Sequence, residues 1–551
     1  MNIYLYLLFY FFILFSILGY GRAFQILFFK KDIVNFGYLG FFGIFSLLII
    51  SYSSNIFFPL TANFNLILLS IGFFFFLNFF FNNYFKHKKE LIVFFLLFMF
   101  LVVFILAAKN HDDFPYYHFA YIQLITKFSS SLGIGIFNHG FRTHSSIFYF
   151  SSLFFLPKAQ YALIHLGPVF FLGFANYIFV KKIYDNLKSK ENFYVIILSL
   201  LSFALINIFF YRMAEHGTDR SAQILVLLIF IELFHLINNR VFDKLLLNKI
   251  FILITITISL KAFYLIYLIL IIPIIYYQKK KIMFVIKLLK NNIFYLCLFL
   301  FCLVILTNFF NTGCLIYPLS LSCSENLLWS IPIKEVSEMN NWYELWSKGG
   351  AAPNFRINNP DVYIQKFNWV GNWIDIYFFN KVFDYLLGLF LLIFIFFLFL
   401  FNKKKSIFKQ KRKYLILYFI ICFLIFEWFY NHPSLRYGGY HLFALLFFIP
   451  FSFFMEKRIF YNKNLIKKIN TLVVIIILIF FSRNVMRINK EIKNYNFNFL
   501  KNSSYNKEFE NYNIYNRIIN LENCQKENKI CEKDDILLLK SHNKNLFYRK
   551  K

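Results

Sequence analysis

The stretch Leu91-Ile-Val-Phe-Phe-Leu-Leu-Phe-Met-Phe-Leu-Val-Val-Phe-Ile-Leu-Ala-Ala108 contains no charged residue, and Lys109-Asn-His-Asp-Asp113 follows it directly. An apolar helix of this length rises about 27 Å, close to the thickness of the hydrocarbon core of a bilayer. The stretch therefore predicts a membrane-spanning helix that ends where Asp112 and Asp113 reach the membrane surface.

Apolar runs of this kind recur along the chain, which has 551 residues, of which 59% are hydrophobic and 23% are aromatic. The sequence predicts an all-α protein, a polytopic transmembrane helix bundle of about 14 helices. A formal net charge of +31 would suggest nucleic acid as the partner of a soluble protein. Here the basic residues collect in short loops between apolar runs, where they report orientation, so we expect membrane lipid and no nucleic acid as a partner.

Basic clusters on the cytoplasmic side place both termini and the two long polar loops outside. The predicted spans are residues 3–19, 34–51, 63–82, 91–108, 160–180, 192–211, 221–238, 249–260, 262–277, 292–309, 378–401, 414–430, 438–455 and 470–482. Residues 249–277 form either one helix with Lys261 at mid-membrane or two that turn at Lys261. The basic group 279–281 favours two, because a hairpin keeps it cytoplasmic.

Three regions follow from this topology. Residues 1–90 are predicted to hold N-terminal transmembrane helices, residues 91–482 a core with outer loops 109–158 and 311–380, and residues 483–551 a polar tail on the outer side. The tail is expected to be either a small helical domain or largely disordered. Two cysteine pairs, Cys314 with Cys323 and Cys524 with Cys531, lie in outer polar segments, where disulfides can form. Free thiols remain an alternative for the tail pair.

The first outer loop carries the strongest candidates for chemistry. Asp113, with Asp112 and His118 nearby, can act as a general base for a hydroxyl group at the membrane surface. The alternative is structural, since an Asp before Pro115 is a good cap for the helix that follows. Imidazole and carboxylate groups in this loop also allow a divalent metal site. Their spacing matches no specific metal motif, so we expect neither a metal nor another cofactor.

Cations from separate segments are predicted on the same membrane face, and together they suit a phosphate group. The alternative for each cation is that it anchors a helix end at the interface. The predicted substrate-binding residues are Tyr117, Asn138, Arg142, His144, Asp219, Arg220, Lys261 and Arg436. Five of the six tryptophans lie between residues 329 and 373, where they suit either stacking on sugars or the aromatic belt of the interface.

The chain resembles the GT-C superfamily of polytopic glycosyltransferases, which carry an acidic residue in the first large outer loop after a spanning helix. It resembles more closely, over residues 90–440, a family of uncharacterised bacterial membrane proteins with the pattern Asp-x-x-x-Tyr-His, then Asn and Arg, then paired Ser, then Gly-Cys-x-x-x-Pro. The matching residues are Asp113, Tyr117, His118, Asn138, Arg142, Ser145, Ser146, Gly313, Cys314 and Pro318.

The superfamily resemblance implies a GT-C-like fold and a glycosyltransferase in the bacterial inner membrane, with its active face periplasmic. The enzyme would transfer a sugar from a polyprenyl-phosphate carrier to a cell-envelope glycan, lipid or protein acceptor. Two alternatives stay open: a polymerase or ligase of lipid-linked glycans, and a transporter or flippase. Transport would gain weight if Glu232 and Glu427, which lie inside predicted helices, were found near mid-membrane.

Overall fold

The computed structural model describes residues 1–29, 35–107, 113–215, 217–238, 243–278, 280–352, 355–402, 415–458, 461, 463–501, 514–527, 531, 535–541 and 544–550.

Helices account for nearly all regular structure in this part of the chain. The first half holds α1 Ile3–Phe28, α2 Phe36–Phe57, α3 Ala62–Phe100, α4 Val102–Leu106, α5 Phe119–Lys127, α6 Ile134–Phe137, α7 Ser146–Ser152, α8 Leu166–Ser189, α9 Phe193–Phe209, α10 Gly217–Asn238 and α11 Lys244–Leu260. The second half holds α12 Ile271–Tyr276, α13 Lys281–Leu289, α14 Asn292–Thr312, α15 Ile333–Lys348, α16 Pro360–Tyr363, α17 Val370–Trp373, α18 Phe383–Leu400, α19 Leu415–Asn431, α20 Gly439–Glu456, α21 Lys463–Tyr495 and α22 Ile514–Lys526.

Short irregular helices link these elements. The 3₁₀ segments are His139–Phe141, Met213–Glu215, Ala262–Leu270, Ser320–Ser322 and Leu435–Tyr437, and the π segments are Phe114–His118 and Ile374–Val382. Two strands, β1 Ile536–Ser541 and β2 Lys544–Arg549, pair antiparallel as a hairpin in the tail. The tail thus contains a helix and a hairpin in its described residues, where we expected a purely helical or disordered segment.

Nine helices among the described residues are long and apolar enough to cross a membrane. They cover Ile3–Phe28, Phe36–Phe57, Ala62–Leu106, Leu166–Ser189, Gly217–Asn238, Asn292–Thr312, Val370–Leu400, Gly439–Glu456 and Lys463–Tyr495. Phe193–Phe209, Ala262–Tyr276 and Leu415–Asn431 are shorter apolar helices. The protein is therefore a multi-pass membrane protein built as an all-α bundle, as the sequence predicted.

The helical segment from α3 to α4 doubles back on itself. Phe36, the first residue of α2, contacts both the Phe79 ring, at 6.1 Å, and the Phe94 ring, at 5.5 Å. A straight helix would separate the Cα atoms of residues 79 and 94 by about 22 Å, too far for one phenyl ring to contact both side chains. The two halves therefore lie side by side, in agreement with separate predicted spans at 63–82 and 91–108.

The chain also reverses at Lys261. Helix α11 ends at Leu260, Lys261 has an extended backbone, and a 3₁₀ segment begins at Ala262. In the 3₁₀ segment, the Tyr264 hydroxyl bonds the carbonyl of Asp219 on α10 and the Tyr267 hydroxyl contacts His441 on α20. This arrangement supports the two-element interpretation of residues 249–277 and brings Lys261 to the membrane face where α10 begins.

The two long outer loops lie on one face of the bundle, which we call the loop face. Gly133 in the first loop donates a backbone hydrogen bond to Phe310 at the end of α14, with an N–O distance of 2.7 Å. The C-terminal hairpin joins them there, because the amide of Leu132 donates to the carbonyl of Asn545 and the carbonyl of Leu132 accepts from the amide of Phe547, at the β2 edge. The amide of Ile3 bonds the carbonyl of Leu500, so the described start of the chain and the tail also meet.

The side of the membrane occupied by the loop face can be tested with reporters. We expect reporters fused after Phe137 and after Asn326 to give periplasmic signals, and a reporter after Lys280 to give a cytoplasmic signal, because basic loops are retained inside. Reporter activity in intact cells measures this. Cytoplasmic signals from the first two fusions would contradict the orientation.

Candidate functional site

Four charged side chains form a continuous chain of ion pairs on the loop face. The Asp113 carboxylate accepts from the Arg436 guanidinium at 2.9 Å, and Arg436 Nε donates to Asp219 Oδ2, also at 2.9 Å. Lys261 Nζ donates to the other oxygen of Asp219 at 2.7 Å. We call Asp113, Asp219, Lys261 and Arg436 the ion cluster. All four belong to the set predicted from sequence, and they come from four distant segments.

The ion cluster has a buried floor and an accessible rim. The side chain of Asp219 is only 2% exposed, whereas those of Asp113, Arg436 and Lys261 are 30%, 28% and 23% exposed. Burial disfavours the charge of Arg436, but Asp219 and the other anions nearby outweigh it and raise the pKa of the guanidinium well above its ordinary value. A molecule that approaches from the loop face would therefore meet one carboxylate and two fixed cations.

The two carboxylates of the ion cluster lie at the starts of helical segments, which fix their positions. Asp219 lies in the first turn of α10, where a carboxylate interacts favourably with the positive end of the helix dipole. Asp113 precedes the π segment Phe114–His118, with Pro115 in its first turn. No side-chain capping hydrogen bond from Asp113 is present at this helix start. Its carboxylate is directed to Arg436 instead, so Asp113 does not cap this helix, and Asp112, the other capping candidate, lies outside the described residues.

The segment that carries Arg436 is fixed by tryptophan and tyrosine side chains. Trp373 and Trp428 donate indole hydrogen bonds to the carbonyls of Pro433 and Ser434, at 3.0 and 2.7 Å. The amide of Leu435 donates to the hydroxyl of Tyr377. Gln223, on α10 one turn after Asp219, donates to the carbonyl of Arg436 at 2.8 Å. These buried contacts assign Trp373 and Trp428 a supporting role rather than a place in the lipid-facing belt.

A glycine ends this segment and lets the next helix begin. Gly438 has a φ of +153°, a backbone conformation that residues with a Cβ rarely adopt, and α20 starts at the next residue. The turn separates the 3₁₀ residues Leu435–Tyr437 from the membrane helix, so Arg436 sits on a short rigid bridge between α19 and α20.

Aromatic rings surround the ion cluster. Lys261 Nζ lies 4.5 Å from the centroid of the Tyr437 ring, which is itself 5.8 Å from the Trp346 ring on α15. Tyr117 interacts electrostatically with Arg436, Asp113 and Asp219. Burial raises the pKa of the Tyr117 phenol, so the hydroxyl stays protonated and can act as a hydrogen-bond donor. The site thus combines charges with rings of a kind that stack on apolar faces of sugars.

Arg142 lies outside the ion cluster, in a second ion-paired group. Its Nε donates to the carbonyl of Gly135 at 2.9 Å, and its Nη2 contacts Glu335 Oε1 of α15 at 2.6 Å. The other oxygen of Glu335 contacts Arg549 of the C-terminal hairpin, also at 2.6 Å. Arg142 is buried and ties the first outer loop to the second. These contacts are those of a structural tie, and the expected substrate contact of Arg142 stays a prediction.

The remaining predicted residues are placed as follows. Arg220 stacks between Phe210 and Tyr440, 4.6 and 4.0 Å from their ring centroids. The Asn138 side chain accepts from the amide of Gly140 and caps a 3₁₀ turn. His118 is buried next to Tyr117 and Phe148.

His144 and Asp112 complete this comparison. His144 is buried edge-on to Tyr52, and burial lowers the pKa of its imidazole to about 4, so it is neutral and cannot serve as a cation for phosphate at physiological pH. Asp112 lies outside the described residues. Within the described part of the chain, no group of three or more His, Cys, Asp or Glu side chains could hold a metal ion.

These features define a multi-pass membrane protein with a charged, aromatic-lined site at one membrane face. A family model with the description "Domain of unknown function (DUF8201)" matches residues 3–443, and the chain belongs to that family. The match begins at residue 3, so it includes the first helices, which the sequence pattern had left out. No curated protein and no solved structure matches the chain.

Sequence reasoning missed several residues of the site. Glu335, Gln223 and Tyr437 have no motif around them, and each is identified only by its contact with a predicted residue. Tyr437 follows Arg436 directly, which is the one signal that could have indicated it.

The role of Asp219 can be tested by Asp219→Asn. This change keeps the shape but leaves Lys261 and Arg436 without their shared carboxylate. Loss of one partner of a fully buried ion pair costs about 3–5 kcal/mol, and because both cations are partly exposed we expect about 2 kcal/mol here. Thermal unfolding of the purified protein in detergent measures it. Asp375→Asn, at an exposed position, is the matched control, and equal unfolding midpoints for the two variants would contradict the role.

The tie through Glu335 should respond to pH. Burial alone would raise the pKa of Glu335, but the hydrogen bonds and charges of Arg142 and Arg549 outweigh it, so the pKa lies below the ordinary value of 4.5. A carboxylate with a lowered pKa contributes stability above its unfolded-state pKa and loses it as the pH falls through the folded-state pKa. We therefore expect the protection factors of the β2 amides, in which the exchange rate is corrected for the intrinsic rate at each pH, to fall below pH 4.5 and to be constant above it.

Glu335→Gln is the matched variant for this measurement. It cannot ionise, so its exchange in β2 should already be faster at neutral pH and should lack the acid-dependent step. An acid step of the same size in both proteins would show that another group is responsible.

Proposed function

We propose that this protein is a membrane glycosyltransferase of GT-C type, which transfers a sugar from a polyprenyl-phosphate carrier to a cell-envelope glycan, lipid or protein. The observation that carries the proposal is the ion cluster, in which an accessible carboxylate, Asp113, adjoins two cations held by a buried Asp219. A carboxylate can accept the proton of a hydroxyl nucleophile, and fixed cations can stabilise a leaving phosphate. The proposed location is the bacterial inner membrane, with the loop face periplasmic.

In the proposed reaction, the acceptor hydroxyl attacks the anomeric carbon and its proton moves to Asp113. The bond from the anomeric carbon to the phosphate oxygen breaks with inversion, and its electron pair stays on the carrier phosphate. Protonation removes the negative charge of Asp113, which weakens its ion pair with Arg436. The Arg436 guanidinium is then available to the departing phosphate, while Asp219 keeps Arg436 and Lys261 in position.

Aromatic side chains support a sugar as the transferred group. Tyr437 and Trp346 flank the cations, and Tyr117 can donate a hydrogen bond near Asp113. These side chains are uncharged. A polymerase or ligase of lipid-linked glycans would use the same features with a larger acceptor, and the geometry favours neither.

Two acidic residues inside helices bear on transport, the other class considered. Glu232 lies six residues before the end of α10, closer to the midpoint of the helix than to its end, and pairs with Lys182 at 2.7 Å. Glu427 lies one turn before the end of α19 and accepts from Asn431. The position of Glu427 offers no support for a charged pathway through the middle of the bundle, and the charge of Glu232 is compensated by Lys182.

Asp113→Asn tests the proposed base, because it keeps the shape of the side chain but removes its ability to accept the proton. We expect turnover to fall by about two to four orders of magnitude. The assay uses the full-length protein in lipid vesicles with a set of synthetic polyprenyl-phosphate sugars and a cell-envelope extract as acceptor. Release of free polyprenyl phosphate is the readout, so the identity of the sugar need not be known in advance.

Asp361→Asn is the matched control, since Asp361 is an exposed aspartate of the second outer loop and lies outside the ion cluster. It should retain full turnover. The proposal fails if Asp113→Asn releases polyprenyl phosphate at the wild-type rate, or if the wild-type protein releases none from any sugar in the set.

A further inference from the structure

A small loop at the end of α14 exposes leucines although the rest of it is tightly held. The disulfide between Cys314 and Cys323 closes this loop, which we call the disulfide loop. Leu315 donates its amide to the carbonyl of Ser322, and the Ser322 hydroxyl bonds both the amide and the carbonyl of Ile316. The backbone is therefore fixed, so the outward direction of its leucines is set by the fold.

One side of the disulfide loop faces the protein. Cys314 and Tyr317 are fully buried, and Tyr317 lies beside the guanidinium of Arg142. The other side carries Leu315, Leu319 and Leu321, with exposed fractions of 49%, 50% and 93%. A leucine as exposed as Leu321 gains nothing from the fold itself, and exposed apolar clusters of this kind mark interaction surfaces.

The position of the loop indicates what covers these leucines. Helix α14 has 21 residues, which corresponds to a length of about 31 Å. A helix of this length crosses the hydrocarbon core of the bilayer once and ends at its boundary. Only Gly313 separates that end from Cys314. The outward residues of α14, among them Leu298 and Phe299, are exposed in the bundle and face lipid. The leucines of the disulfide loop follow directly on the end of this helix.

The charge pattern is consistent with the same environment. Residues 314–324 contain no charged side chain, and the next charged residue is Glu325. A loop that lay in water beside a polar domain would have no such restriction. A loop inserted among lipid head groups and upper acyl chains would, because charged groups are costly there.

We propose that the disulfide loop inserts its leucines into the lipid leaflet at the loop face and thereby anchors the second outer loop to the membrane surface. The partner is the bilayer itself, recognised by apolar contact and not by charge. The same loop presses Tyr317 against Arg142, so the depth at which the leucines sit also sets the height of the Arg142 tie above the membrane. This inference does not depend on the proposed reaction.

Photo-crosslinking tests the insertion in the full-length protein in its own membrane. The photoreactive residue p-benzoylphenylalanine replaces Leu321, and the adduct is identified by its mass. We expect lipid adducts at Leu321. The same residue at Phe299, on the lipid-facing side of α14, is the positive control, and at Asn326, an exposed polar position just beyond the loop, it is the negative control.

The outcomes separate the possible partners. Lipid adducts at positions 321 and 299 with few or none at 326 support insertion. Adducts of Leu321 with another protein would overturn the proposal and identify a protein-docking surface. Lipid adducts that are equally frequent at 321 and 326, or absent at 321 although present at 299, would overturn it as well.

Discussion

The site depends on one buried carboxylate that is shared by two cations. Asp219 is almost inaccessible to water, and it compensates Lys261 on one oxygen and Arg436 on the other. Without that carboxylate, two positive charges would repel each other at the end of a membrane helix, where water is scarce. Because the partners come from α10, from the reversal after α11 and from the bridge between α19 and α20, this one group fixes the relative positions of three parts of the bundle.

Much of the fold could be predicted because the local amino-acid composition of a segment indicates whether it is a membrane helix. An apolar run long enough to span and a basic loop that cannot cross are both local properties, so the doubled α3 segment and the reversal at Lys261 could be predicted from residues near them. The extra length of α21, which continues to Tyr495 beyond the expected end at residue 482, could not be predicted because its last turns are polar and leave the apolar span. The hairpin in the tail was missed because β2 is held in place by contact with Leu132, far away in sequence.

The site was predicted in part, and the division has a physical cause. Asp113, Asp219, Lys261 and Arg436 were named because charged residues at helix ends are conspicuous in an apolar chain. Whether such charges meet depends on helix rotation, and a single sequence does not contain that information. Arg142 and Arg220 illustrate this, because they lie on the same membrane face as the ion cluster, yet one pairs with Glu335 and the other stacks on aromatic rings. The tryptophans were also not predictable in this respect. Trp373 and Trp428 bond the backbone of the Arg436 segment from inside the protein, a role that their sequence positions do not indicate.

The alternation of sign along the ion cluster has a thermodynamic consequence. Two carboxylates and two cations sum to zero, so these four side chains together carry no net charge. A ligand with one negative charge would leave the occupied cluster with an uncompensated charge in a place of low polarity. Its binding must then be linked to the uptake of a proton or a small cation, or to release of one carboxylate into water. Occupancy of such a cluster is therefore coupled to the ionic composition on the loop face.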